Sequence, residues 1–91
     1  MTKPLKVMTI LGTRPEIIRL SRVMPLLDRY TRHTLVHTGQ NYDPGLNDVF
    51  FSDLGLRAPD VFLNVDTSSL GRMLGNILIA IEPVLDVYRP D

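Results

Sequence analysis

Cysteine is missing from the 91-residue chain, and with it go disulfides, thiolate nucleophiles and cysteine-ligated metal sites. Net charge is missing too: ten Lys and Arg balance ten Asp and Glu. That balance gives no electrostatic footprint for a polyanion, so nucleic acid is not an expected partner. The longest unbroken apolar run is Ile77 to Ile81, far short of the ~20 residues that span a bilayer, so no membrane crossing is expected. Met1-Thr2-Lys3-Pro4-Leu5-Lys6 is basic but lacks the apolar segment and small-residue cleavage site of a secretion signal, which makes a cytoplasmic location the default. The only two histidines, His33 and His37, are four apart on what reads as a strand. That spacing separates them by roughly 13 Å, too far to share a metal ion, and no metal site is expected. A GK[ST] phosphate loop and a G-x-G-x-x-G fingerprint are also absent, so neither ATP nor NAD is indicated and no cofactor is expected.

What is present is an ordinary globular composition, 44% hydrophobic, at a size that builds one small domain or part of a larger one. Val7 to Leu11 is nearly continuous in apolar residues, as suits a strand covered on both faces in a parallel sheet. Ile17, Leu20, Met24 and Leu27 recur every three or four residues with arginines between them, which predicts an amphipathic helix from Glu16 to about Tyr30. Pro25 should kink it. His33 to His37 reads as a second strand, and a strand, helix, strand order places Gly12–Arg14 and Thr38–Asn41 at one edge of the sheet. Leu46, Val49, Phe50 and Leu54 have helical spacing, with Gly55 as the C′ residue. Val61–Val65 reads as a short third strand or an extended segment. A long helix follows from about Leu70 to Tyr88, capped from within Asp66–Ser69, with an apolar face of Leu70, Leu74, Ile77, Leu78, Ile81, Val84, Leu85 and Tyr88 and a bend at Pro83. Gly71 and Gly75, one turn apart, suggest close approach to a neighbour. Arg89-Pro90-Asp91 stands where another buried strand would usually follow, so the chain is expected to be an incomplete α/β unit.

The candidate site is Gly12-Thr13-Arg14-Pro15-Glu16. Gly12 permits a sharp turn, Pro15 suits the first helical position, and Arg14 faces the strand end where open α/β sheets bind ligands. A guanidinium beside a helix N-terminus favours a phosphate. The plainer alternative for Arg14 is a surface arginine pairing with Glu16. Arg19 either faces the same edge or pairs with Glu16 one turn earlier; Arg22, Asp28 and Arg32 read as a solvated face. His37 reads as a histidine bonded to backbone or as an acid–base group. Gln40 and Asn41 suit hydrogen bonding to a ligand, or to water.

These residues carry a resemblance. Gly12-Thr13-Arg14-Pro15-Glu16-Ile17-Ile18-Arg19, following Val7–Leu11, is similar to the opening of the non-hydrolysing UDP-N-acetylglucosamine 2-epimerases, whose signature is G-T-R-P-E and then a basic residue. His37–Asp43 and Asn47–Gly55 resemble a capsule or O-antigen branch of that family. The resemblance spans essentially the whole chain. It implies an α/β fold, part of a Rossmann-like parallel sheet with flanking helices, in which residues 1–91 are the N-terminal part of the first of two domains facing a cleft in the glycosyltransferase-B manner, usually in a homodimer. It implies a UDP-sugar substrate whose C2 is inverted without nicotinamide, by anti elimination of UDP to a 2-acetamidoglycal and re-addition. Gly12, Thr13 and Arg14 then belong to the substrate site, Arg14 holding the diphosphate as it leaves. Arg19 falls where the family often has lysine. Gln40 is the one match to the Gln-His-Arg of many members, whose loop helps form an activating second UDP-sugar site, so that regulation is not expected here. The family's catalytic acids lie beyond the position of Asp91, the first in a Gly-Asp-Thr, so no catalytic residue is expected in this chain and alone it should be inactive. The competing readings are a self-contained α/β binding module, and a glycosyltransferase or hydrolysing epimerase of the same fold.

Overall fold

The computed structural model describes residues 4–39 and 51–91. Strands β1 (Lys6–Leu11), β2 (Arg32–His37) and β3 (Val61–Phe62) form a parallel sheet in the order β1-β2-β3. Helices α1 (Arg14–Leu20) and α2 (Met24–Tyr30) connect β1 to β2, and α3 (Leu70–Tyr88) follows β3.

The β1–β2 ladder is complete from Lys6↔Arg32 to Leu11↔His37. Alternation along the strands therefore puts Val7, Thr9 and Leu11 on one face with His33, Leu35 and His37. That face holds the core: Leu11, Ile17, Met24, Leu35 and Phe51 are buried together, with Leu20, Leu54 and Leu56 packed against them. Helices α1 and α2 and the helical residues 51–53 cover it. On α3, Leu85 lines a groove of about 520 Å³ with Met8 and Ile10, side chains of the opposite face. Helices thus lie on both sides of the sheet, as expected for a Rossmann-like unit.

The expected single helix over 16–30 is two helices. Val23 N–H donates to Leu20 O at 3.0 Å, and the amide and hydroxyl of Ser21 both donate to Ile18 O. These three-residue turns close α1. Pro25 then occupies the second position of α2, where its missing N–H costs nothing; inside one continuous helix its ring would have met the Ser21 carbonyl. Pro15 likewise falls at the second position of α1, one residue later than expected.

Gly55 does end a helix. With φ +70°, its N–H donates to Ser52 O and Leu56 N–H to Phe51 O, the paired bonds of a Schellman stop. The expected third strand is shorter than Val61–Val65, pairing only Val36↔Val61 and His37↔Phe62 in regular register. Asn64 adopts a left-handed φ of 53° just beyond, which ends the extended run.

Ser69 caps α3, its hydroxyl accepting from Arg72 N–H at 3.1 Å. The helix runs through Pro83 and stops at Arg89, which has a left-handed φ of 46°. Among the described residues the apolar face is mostly uncovered: Ile81 is the buried residue of α3, whereas Leu70, Leu74, Leu78, Leu85 and Tyr88 are exposed. A sheet with two full strands and a two-residue third is too narrow to cover five turns of helix. Gly71 and Gly75 meet no close neighbour either, since a Cβ at each would have nothing within 4 Å among the described residues. At the chain's end, Asp91 N–H donates to Lys6 O at 2.7 Å and Lys6 N–H to the Asp91 carboxylate at 2.8 Å. Asp91 thereby lies on the side of β1 away from β2. No described helix is long and apolar enough to cross a membrane.

Burial predicts a contrast between two leucines. Leu35→Ala, at a site 1% exposed, should cost about 2–5 kcal/mol of unfolding free energy. Leu78→Ala, at 70%, should stay within about 0.5 kcal/mol; denaturant titration of the 91-residue chain measures both. In the same assay Gly75→Ala should stabilise by roughly 0.5–1 kcal/mol, because it gains helix propensity without a clash.

Candidate functional site

At the carboxyl edge of the sheet, Leu11 and Gly12 are buried, Thr13 is half-buried and Arg14 is exposed at the first position of α1. Thr13 is extended, with φ −118° and ψ 155°. Its carbonyl accepts Ile17 N–H at 3.1 Å. Its hydroxyl does not cap the helix but donates to the Glu16 carboxylate at 2.7 Å. Glu16 is thus turned back toward Thr13.

The adjacent strand end is brought alongside by one bond: Thr38 N–H donates to Leu11 O at 2.8 Å. Thr38 O accepts Val65 N–H at 3.1 Å, and His37 O accepts Leu63 N–H at 2.9 Å. Three segments therefore meet at this edge, Gly12–Arg14, Thr38–Gly39 and Leu63–Val65. Gly39 has φ +83°, and a Cβ there would lie 3.0 Å from Phe62 Cζ and 3.1 Å from Asn64 Cα, so the position requires glycine on two counts. Just beyond, Asp66 accepts Ser68 N–H at 2.9 Å, and its bonds to Ser68 hold its carboxyl below the usual range.

The expected site residues are distributed unevenly. Gly12, Thr13 and Arg14 stand together on the edge, whereas Arg19 is exposed in the last turn of α1. Five residues of rise, about 7.5 Å, separate it from Arg14. Gln40 and Asn41 lie outside the described residues. His37 is 2% exposed and its Nδ1 accepts Gly39 N–H at 2.9 Å, which is the backbone-bonded arrangement rather than an acid–base group open to substrate. Among the described residues no cluster of three His, Asp or Glu could hold a metal ion.

The opposite end of β2 carries a network that periodicity did not reveal. The His33 ring, 1% exposed, lies 2.7 Å from Thr9 Oγ1 through Nε2 and 2.7 Å from Asp28 through Nδ1. Arg57 binds Asp28 at 3.1 Å and Asp60 at 3.0 Å and donates to His33 O, while Asp60 receives Leu35 N–H and bonds back to Leu35 O. Asp28 is therefore not part of a merely solvated face. Hydroxyl, imidazole and carboxylate follow in the order of a catalytic triad, but with the ring enclosed and the carboxylate held by Arg57 the network serves the fold. It straps the segment before β3 across β2 and α2.

Comparison with known proteins then identifies the lineage. The model of the UDP-N-acetylglucosamine 2-epimerase family matches residues 27–91. The chain belongs to that family. A curated UDP-N-acetylglucosamine 2-epimerase from Methanococcus maripaludis is 42% identical over 94% of the chain and 23% of its own length. An alignment that long leaves too few residues out to miss Gly12–Glu16. Among solved structures, the 2-epimerase from Rickettsia bellii superimposes with a TM-score of 0.85 at 48% identity, over 98% of this chain and 24% of its own. The Methanocaldococcus jannaschii UDP-GlcNAc 2-epimerase in complex with UDP-GlcNAc and UDP gives 0.84 at 39% identity, over 92% and 24%. The fold is thus the glycosyltransferase-B-like fold of the 2-epimerases, of which this chain spans about a quarter of the length.

The network makes a pH-dependent prediction. Burial is the largest single influence on Asp28 and pushes its pKa up, but hydrogen bonds and charge from Arg57 and His33 outweigh it and hold the carboxyl below its usual range. A lowered folded-state pKa contributes stability that is present above the unfolded value of about 4 and lost as pH falls through the folded one. Asp28→Asn should therefore lower Tm at neutral pH, and the difference from wild type should shrink as the pH falls below about 4. Thermal melts across that range check it; a pH-independent difference would refute the charge-based role.

Proposed function

We propose that the chain is the nucleotide-holding start of an enzyme that inverts C2 of a UDP-linked N-acetylhexosamine. Residues 1–91 would be the first part of the first of two Rossmann-like domains, in a parent that works as a homodimer. The observation that carries this reading is the family's G-T-R-P-E signature placed at the carboxyl edge of β1 with Arg14 exposed. A relative with the same fold is described in complex with UDP-GlcNAc and UDP.

In this reading UDP leaves C1 as the C2 proton is removed, giving a 2-acetamidoglycal, and returns after a proton is delivered to the opposite face of C2. The leaving diphosphate gains negative charge as the glycosidic C–O bond breaks. A guanidinium fixed at the strand edge stabilises that charge more in the transition state than in the bound substrate, which is the condition for raising kcat. Gly12, buried and without a side chain, leaves room beside the edge for the phosphates. Thr13 fixes the first turn of α1 through Glu16. Arg19 would supply a second positive charge from the last turn of α1. Gln40 contributes a hydrogen bond from the loop after β2. Proton removal and delivery fall to groups outside these 91 residues, so the chain alone should show no epimerase activity.

Arg14→Ala in the full-length enzyme should lower kcat/KM for UDP-N-acetylhexosamine about 10²-fold, the usual effect of removing one donor to a developing anion. Arg14→Lys should recover only part, because an ammonium keeps the charge but not the fork. Steady-state kinetics with product analysis decides it. Unchanged kinetics would refute the role, and UDP released without C2 inversion would point to a hydrolysing enzyme or a transferase instead.

A further inference from the structure

We infer that His37 is a positioning residue for the proposed diphosphate edge: its neutral imidazole replaces the side-chain carbonyl of an Asx turn, tying Gly39 to the end of β2 and to β3. The inference rests on the reading of that edge as the UDP site.

Gly39 N–H donates to His37 Nδ1 at 2.9 Å, so Nδ1 bears no proton and the ring's single proton is on Nε2. In an Asx turn the side-chain oxygen of Asn or Asp accepts the N–H two residues on. Here the ring nitrogen bonded to Cγ does the same. The imidazole adds something that an amide cannot, a flat face. It stacks on Phe62 with ring centres 5.1 Å apart and planes 24° from parallel, and it meets Phe51 at 6.1 Å. Phe62 is also the register partner of His37 on β3 and the side chain nearest the missing Cβ of Gly39. His37, Gly39 and Phe62 are therefore in mutual contact, each limiting the movement of the other two.

On its other side His37 pairs with Leu11, whose carbonyl takes the Thr38 N–H. Leu11 immediately precedes Gly12. A turn at residues 37–39 that loses its internal bond can pivot about that contact, and the β2 end then no longer braces the Gly12–Arg14 turn. His37 acts through backbone and touches no ligand in this scheme.

The test separates the acceptor from the ring. In the full-length enzyme, His37→Phe keeps the flat apolar stack and loses the acceptor, whereas His37→Asn keeps the acceptor in an Asx turn and loses the stack. UDP is titrated calorimetrically into wild type and both variants, with Tm measured alongside. The expected result is a Kd for UDP raised about three- to tenfold in His37→Phe, the effect of one lost hydrogen bond, and restored to within about twofold in His37→Asn, even though the latter has the lower Tm. Nitrogen NMR of wild type should show a neutral ring protonated on Nε2. Equal UDP affinity in wild type and His37→Phe, affinity that simply follows Tm, or a proton on Nδ1 would each overturn the role of His37. A wild type that does not bind UDP would instead overturn the reading of the edge itself.

Discussion

The parallel ladder between β1 and β2 continues one step past both strands, where Thr38 N–H reaches the Leu11 carbonyl at 2.8 Å. That bond sets the spacing of the two chain segments leaving the sheet, and the candidate site depends on it. Without it, Gly12–Arg14 and Thr38–Gly39 would be separate loops with independent freedom; with it they leave neighbouring strands about 4.8 Å apart, the ordinary inter-strand distance. Bonds from Leu63 and Val65 to the carbonyls of His37 and Thr38 extend the arrangement to the segment after β3. Backbone pairing thus brings the three segments of the edge together.

The opposite end of the sheet is held differently. There the strap is ionic and ring-centred, with Asp28, His33, Arg57 and Asp60 joining α2, β2 and the segment before β3. These pairs tie three elements into one arrangement, and removing one partner leaves the others without it. The division suits an α/β domain, in which one end carries stability and the other is left to bind.

Much of this was legible in the sequence because short-range physics wrote it. The apolar run Val7–Leu11, the β-branched second strand, Gly55 as a helix stop and a cap within Asp66–Ser69 each follow from one local rule, and each is found. The split of the first helix was half legible. Pro25 announced a disturbance, but whether a proline kinks one helix or starts another depends on how the preceding turn closes, which Ser21 decides through its hydroxyl. How much of α3 is buried was not legible, because periodicity reports which face of a helix is apolar and says nothing of whether anything covers it. The His33 network joins residues up to 51 positions apart (Thr9 to Asp60), beyond any window of pattern. Gly12, Thr13 and Arg14 were legible as a turn from spacing and as members of a family from their order; His37 offered only a histidine two residues before a glycine.

The position of Asp91 alters the standing of the first strand. The chain runs outward from β1 through β2 to β3, returns along α3 on the other face, and arrives at Lys6 on the far flank of β1. The backbone thus crosses the sheet in one direction through β2 and β3 and is carried back past β1 by α3. Open α/β sheets bind their ligands at such a topological switch point. The turn at Gly12–Arg14 leaves the carboxyl end of the strand at which that direction reverses, a position set by the order in which the strands are laid down, before any side chain is considered.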